Sequence, residues 1–108
     1  MNTFDDREKA YEAKFALDEE LRFKVEARRN KLLGLWLAEQ MGKSGDDAEA
    51  YSKEVVISDL KEAGDEDIIA KVMADIEQAS LPITREQIVA KLSEFMLTAS
   101  EQIVGDIE

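Results

Sequence analysis

Apolar residues recur along the chain at intervals of three and four positions, the spacing that places side chains on one face of an α-helix. No segment alternates apolar and polar residues in the way that a half-buried β-strand requires, and proline occurs only once. The pattern therefore predicts an all-α protein.

The first predicted helix carries a stripe of aromatic residues. It can begin at Thr3, whose hydroxyl is able to cap the amides of the first turn. Phe4, Tyr11 and Phe15 then fall close to one face of a strongly charged helix. Two interpretations stay open, because such a stripe can pack on the protein's own bundle or can anchor the helix in the groove of a partner.

The apolar face shifts after this stripe, around residues 18–20, and a second pattern continues to Gly42. Its apolar positions are Leu21, Val25, Leu32, Leu35 and Trp36. Pairs of opposite charge four residues apart would support a helix straight through this region. The sequence is compatible both with one continuous helix and with two helices joined by a hinge near Asp18.

Three further helices follow, each with a start or stop signal. The second is predicted to begin at Asp46 and to stop at Gly64. Asp65 is predicted to cap the third, which ends by Pro82, and Thr84 with Gln87 forms a capping box for the fourth. The predicted inward positions are Tyr51, Val55, Val56 and Leu60, then Ile68, Ile69, Val72, Met73 and Ile76, then Ile88, Leu92, Phe95, Met96, Ala99 and Ile103.

The connections between these helices are short, which favours antiparallel neighbours. With 108 residues, the chain has the usual size of one folded unit. The predicted architecture is a compact four-helix bundle with an amphipathic N-terminal helix. No apolar run has the length of a membrane span or a secretory signal, so we expect a cytoplasmic protein that does not insert into the membrane.

Charge divides the chain into two unequal parts. Residues 1–31 contain eight acids and eight bases, whereas residues 32–108 contain 17 acids and 6 bases and carry the whole net charge of -11. An excess of acids argues against nucleic acid as a partner, because phosphate is bound mainly by Lys and Arg. The basic group Arg28, Arg29 and Lys31 is predicted to pair with acidic residues of the same bundle.

Catalytic chemistry has few candidates. The chain has no histidine and no cysteine, so the commonest general base, the thiolate nucleophile and the usual zinc ligands are missing. Acids such as Asp46 and Asp65 are interpreted as helix caps and not as metal ligands. The segment Gly42 to Ser44 resembles the end of a phosphate-binding loop, but Leu37 occupies the position of that motif's first glycine. We predict no catalytic residue, no metal site and no cofactor.

Several stretches resemble a known family. They are residues 4–10 (FDDREKA), 14–16 (KFA), 18–24 (DEELRFK), 27–36 (ARRNKLLGLW) and 63–67 (AGDED). Together they are similar to the zeta subunits, small inhibitors of the F-type ATP synthase in alphaproteobacteria. Tyr11 stands where phenylalanine would be expected in the family, and Leu17 where histidine would be expected.

The resemblance implies a division of labour within the chain. Residues 1–17 would be the inhibitory segment, which enters a catalytic interface of the enzyme's head, contacts its rotor and blocks ATP hydrolysis. Residues 18–108 would form the globular four-helix domain. The implied partner-binding residues are Phe4, Asp5, Arg7, Glu8, Lys9, Tyr11, Lys14 and Phe15. The protein would be cytoplasmic, peripherally associated with the ATP synthase at the inner membrane, and not an enzyme.

An alternative function of a different class remains open. The chain could be a small acidic binding module for a nucleotide or another protein, with its first helix permanently docked and no inhibitory activity.

Overall fold

In the computed structural model, the backbone is described for residues 3–59 and 64–107, and the side chains for residues 19–59 and 64–105. This part of the chain consists of four helices and contains no β-strand. Helix α1 spans Thr3–Gln40, α2 Gly45–Ser58, α3 Glu66–Gln78 and α4 Arg85–Ile107. The prediction of an all-α, four-helix protein is confirmed.

Helix α1 is continuous through residue 18, so of the two alternatives for this region the structure has the single helix. It ends in a Schellman turn, in which the amide of Lys43 donates to the Ala38 carbonyl and Gly42 adopts a left-handed φ of 79°. Gly42 and Lys43, which resemble part of a phosphate-binding loop in sequence, thus serve to end a helix.

The start of α2 corrects one prediction. The helix begins at Gly45, and its N-cap residue is Ser44, which makes no side-chain capping hydrogen bond. Asp46, predicted to be the cap, lies with Asp47 inside the first turn. Acidic side chains there interact favourably with the positive end of the helix dipole, which explains why the sequence resembles a cap.

Helices α3 and α4 are separated by a tight connection. Helix α3 ends before Pro82 is reached, in a second Schellman turn where Ser80 takes a left-handed φ of 56° and the Leu81 amide donates to the Ile76 carbonyl. The predicted capping box of α4 is confirmed. The Thr84 amide donates to Gln87 Oε1 at 2.8 Å, and the Gln87 amide donates to Thr84 Oγ1 at 3.2 Å.

The core lies where α1 packs against α2 and α4, with α3 closing one side. The inward faces predicted for α3 and α4 are buried or half-buried. The same holds for Tyr51, Val55 and Val56 of α2, whereas Leu60 lies outside the described residues.

In α1 the prediction is partly wrong. Leu33, Leu37 and Ala38 are fully buried, whereas the predicted Leu32, Leu35 and Trp36 are only half-buried. Residues 32–38 are almost all apolar, so periodicity could not select the inner face.

Candidate functional site

The predicted partner-binding residues lie in the first half of α1, ahead of the bundle. Their backbone belongs to the helix that begins at Thr3. Their side chains lie outside the part of the chain whose side chains the structure describes, and the whole set is Phe4, Asp5, Arg7, Glu8, Lys9, Tyr11, Lys14 and Phe15. Their role as partner-binding residues therefore stays a prediction.

The second half of α1 holds the helix on the bundle through its core residues and through a partly buried polar cluster, here called the Arg29 cluster. It consists of Arg29, Asn30, Asp59 and Asp65. The Arg29 guanidinium is only 3% exposed. Its two terminal nitrogens donate to Asp65 at 2.9 and 3.5 Å, and its Nε donates to Asn30 Oδ1 at 2.9 Å. Because two guanidinium nitrogens bind the two oxygens of one carboxylate, the pair fixes the relative orientation of Arg29 and Asp65 as well as their distance.

Asp59 completes the Arg29 cluster from the C-terminal end of α2. Its Oδ2 accepts a hydrogen bond from Asn30 Nδ2 at 2.9 Å and lies 3.7 Å from Arg29 Nη2. Its buried Oδ1 has no hydrogen-bond donor among the described residues. Burial raises the pKa of the Asp59 carboxyl above its ordinary value, although Asn30 and Arg29 pull it down. The cluster thus links α1 to α2 and to the start of α3.

Only part of the Arg29 cluster can be predicted from the sequence. The pairing of Arg29 with acids of its own bundle is confirmed, whereas the prediction that the Asp65 side chain caps α3 is wrong, because that carboxylate binds Arg29 instead. Asn30 and Asp59 were not identified. No spacing rule indicates that an asparagine on one helix will meet an aspartate 29 residues further along the chain.

Arg28 and Lys31, the other members of the basic group predicted to pair with acids of the bundle, have different kinds of partner. Arg28 donates to Gln102 of α4 at 3.2 Å and makes no ion pair with the acids whose side chains the structure describes, and Lys31 lies 3.9 Å from Glu49 of α2. Trp36, interpreted from the sequence as a core residue, packs half-buried against the core, with Lys91 Nζ 5.0 Å from the centre of its ring. These contacts fasten α1 to both of its neighbours.

A second polar group connects α2 to α3. The Tyr51 hydroxyl donates to Asp75 Oδ2 at 2.8 Å, and Lys71 Nζ lies 2.8 Å from the same oxygen. Burial, followed by the neighbouring Asp75, raises the pKa of Tyr51. Burial lowers the pKa of Lys71, but Asp75 and Glu54 outweigh it and the net shift is upward. Both shifts keep the two groups protonated, which is the state that holds these helices together.

The described residues offer little for catalysis or metal binding. Among the residues whose side chains the structure describes, no group of three or more acids or other ligand side chains is placed to hold a metal ion. Within the same part, no helix is long and apolar enough to cross a membrane. The Arg29 cluster is held together by hydrogen bonds among its own members, and so are Tyr51 and Asp75. These polar groups therefore stabilise the fold rather than present reactive groups.

Comparison with known proteins identifies the family. The family model described as ATPase inhibitor subunit zeta matches residues 1–102. A chain solved by solution NMR is similar in structure, with a TM-score of 0.71 and 45% sequence identity over 80% of this chain and 98% of its own length. A search of curated proteins found no match. Because the family match covers nearly the whole chain, this protein belongs to the ATPase inhibitor subunit zeta family and is an inhibitor subunit, not an enzyme.

Proposed function

We propose that this protein inhibits ATP hydrolysis by an F-type ATP synthase and that residues 1–17 are the inhibitory segment. In this proposal residues 18–108 form the domain that carries the segment. The observation that supports it best is the match to the inhibitor family, which begins at residue 1 and thus includes the proposed segment.

The fold is consistent with such a division. Helix α1 runs without interruption from the proposed segment into the bundle. Within residues 19–40, whose side chains the structure describes, the buried residues begin only at Arg29 and Asn30. A continuous helix of 38 residues is about 57 Å long at a rise of about 1.5 Å per residue. A segment at one end can therefore reach into a neighbouring protein while the other end stays fixed in the core.

The chemistry of the segment suits insertion at a protein interface. Phe4, Tyr11 and Phe15 are large amphipathic or apolar anchors, the residue types that supply most of the binding energy at interfaces. The charged residues Asp5, Arg7, Glu8, Lys9 and Lys14 balance nearly to zero, so they can pair with a surface of mixed sign. Inserted between catalytic subunits and against the rotor, the helix would block rotation in the direction of hydrolysis. The protein would then sit in the cytoplasm, on the head of the membrane-bound enzyme.

The test is ATP hydrolysis by an alphaproteobacterial F-type ATPase stripped of its own inhibitor. We expect the full chain to inhibit and a chain lacking residues 1–17 not to inhibit, while circular dichroism shows that both are folded. Within the full chain, replacing Phe4 and Phe15 together by alanine should weaken inhibition at least about tenfold, as expected for anchor residues. Phe23→Ala is the matched control, because Phe23 is an aromatic residue of α1 that is 60% exposed and lies outside the segment.

Equal inhibition by the truncated and the full chain would show that the segment is not the inhibitory element. Absence of inhibition by both, with both folded, would instead favour the alternative of a small acidic binding module.

A further inference from the structure

Helix α4 has an apolar sector that is wider than the part covered by the bundle. Ile88, Leu92 and Ala99 face α1 and are buried. Next to them on the helix surface, Val89, Leu97 and Val104 are 46%, 70% and 45% exposed. These positions follow one another at helical spacing, with the small Ser93 and Ser100 beside them and Glu101 one turn after Leu97. The outer flank of α4 is therefore an apolar strip without a covering element among the described residues.

The strip borders two hollows between α4 and its neighbours. One, of about 480 Å³, is lined by apolar side chains of α3 and α4 and by the Arg29–Asp65 pair. The other, of about 590 Å³, lies between α4 and the part of α1 around Leu21 and Val25. Met96 lines both. We call the two hollows together with the strip the α4 groove, bounded by Ile69, Val89, Leu97, Val104, Val25 and Leu21.

The size of the α4 groove fits a helix. The rise from Val89 to Val104 along α4 is about 22 Å, which is the length of a helix of about four turns. The two hollows, one between α3 and α4 and the other between α1 and α4, extend the apolar surface along this length of α4. A groove of this kind can receive one face of an amphipathic helix.

The charged side chains at the edges of the α4 groove that make no ion pair with described residues are acidic. Glu101 follows Leu97 by one turn, Glu86 precedes Val89 by nearly one turn, and Glu19 lines the opposite side; all three are exposed. No ion pair of these three acids occurs among the described residues, whereas Arg22 is paired with Glu26, and Arg29 with Asp59 and Asp65. A ligand of this groove therefore meets apolar side chains in the middle and uncompensated carboxylates at the rim.

We infer that the α4 groove is a docking surface for a basic amphipathic helix of a partner protein. Such a helix would place leucine-like side chains along Val89, Leu97 and Val104, and lysine or arginine against Glu86 and Glu101. A second copy of this chain fits less well, because two acidic rims would face each other across a twofold axis and the chain carries a net charge of -11. An anionic membrane surface is repelled for the same reason. All residues named for the α4 groove lie outside residues 1–17, so the groove can be tested separately from the inhibitory segment.

The probe is a 14-residue amphipathic peptide of leucine and lysine, titrated into the ¹⁵N-labelled full chain and followed by NMR and calorimetry. We expect binding with chemical-shift changes concentrated in residues 89–104. The same peptide with glutamate in place of lysine should bind at least about tenfold more weakly, and affinity for the lysine peptide should fall about fivefold or more between 50 mM and 500 mM salt, because rim charges are screened. Equal binding of the two peptides would overturn the proposal.

Neutral substitutions test the location. Leu97→Gln and Val104→Gln should each weaken binding of the lysine peptide at least about fivefold. Ile57→Gln is the matched control, because Ile57 is 57% exposed on α2, outside the groove. For the rim, Glu101→Gln should reduce both affinity and salt dependence, whereas Glu77→Gln, on the exposed side of α3, should change neither.

Two results would contradict the assignment. One is binding of the lysine peptide that Leu97→Gln and Ile57→Gln weaken equally, because this would show general attraction to an acidic protein. The other is a dimer of the full chain in sedimentation equilibrium that Leu97→Gln dissociates, because the groove would then be an interface between two copies.

Discussion

Gly34 of α1 and Ser52 of α2 lie so close together that a Cβ atom added to Gly34 would be 2.7 Å from the Cα of Ser52. The obstacle is backbone and not the end of a flexible side chain, so the two helices would have to move apart to make room. Gly34 thus sets the distance between α1 and α2 at a point where Ser52 is fully buried.

The Gly34→Ala variant should therefore be less stable, despite the higher helix propensity of alanine. Overpacking costs about 1–3 kcal/mol, and alanine regains about 1 kcal/mol, so we expect a net loss of up to about 2 kcal/mol. Gly105→Ala is the matched control within a helix, because the added Cβ would meet no described atom within 4 Å apart from its chain neighbours and the backbone of its own helix. It should leave stability unchanged or raise it by up to about 1 kcal/mol. Urea unfolding of both variants measures the difference, and equal changes would contradict the steric explanation.

Arg29 is the most buried charge among the described residues, and its removal should be costly. Arg29→Met leaves Asp59 and Asp65 without their cation, and breaking a buried pair in this way costs about 3–5 kcal/mol. We expect the lower end of this range, because Asp65 is 48% exposed and water can replace part of the interaction. Arg22→Met, which removes the exposed pair with Glu26, should cost less than about 1 kcal/mol. Similar losses in free energy of unfolding for the two variants would show that burial of the Arg29 cluster is unimportant.

The capping box of α4 offers a comparison with the uncapped start of α2. Thr84→Ala removes the hydroxyl that accepts from the Gln87 amide and should cost about 1 kcal/mol. Ser44→Ala should cost clearly less, because Ser44 makes no side-chain capping hydrogen bond. Thermal unfolding monitored by circular dichroism gives both values. A larger loss for Ser44→Ala than for Thr84→Ala would be the contrary result.

Asp59 should make stability depend on pH in the acidic range. The pKa of Asp59 in the folded protein is raised above its ordinary value of 3.8. At a pH between 3.8 and the raised pKa, the folded state therefore binds more protons than the unfolded state. The contribution of this group to the free energy of unfolding therefore rises as the pH falls through that window. Asp59→Asn removes the titration. The stability of the parent chain relative to this variant should increase on acidification through the window, and a decrease would contradict the raised pKa.

Inhibition itself should respond little to mild changes of pH. The chain has no histidine, the side chain whose ordinary pKa places its charge change near neutrality. We expect the inhibition constant to vary less than tenfold between pH 6 and pH 8 after the pH response of the ATPase alone is subtracted. A larger change would show that another group titrates at the interface.

The sequence alone determined the helices and most of their ends. The capping box of Thr84 and Gln87, the stop at Gly42 and the inner faces of α3 and α4 follow from contacts within a few residues along the chain, so local patterns are sufficient to predict them. The same patterns predicted Asp46 and Asp65 as caps. Asp46 lies inside the first turn of α2, and Asp65 occupies the N-cap position of α3 but makes no side-chain capping hydrogen bond. An acid near a helix start has the same sequence signature whether it caps, lies in the first turn or reaches to another helix.

Only the tertiary structure decided which face of residues 32–38 is buried, which partner Asp65 takes and where α4 is left uncovered. In the first case almost every side chain is apolar, so burial of any face is favourable and the fit against Ser52 and Val55 selects one. The partner of Asp65 could not be predicted because Arg29, whose guanidinium it binds, lies 36 positions away in the chain. Helix periodicity depends on backbone geometry within one helix, whereas pairing and exposure depend on the placement of the helices relative to one another, which is fixed by packing of the whole core.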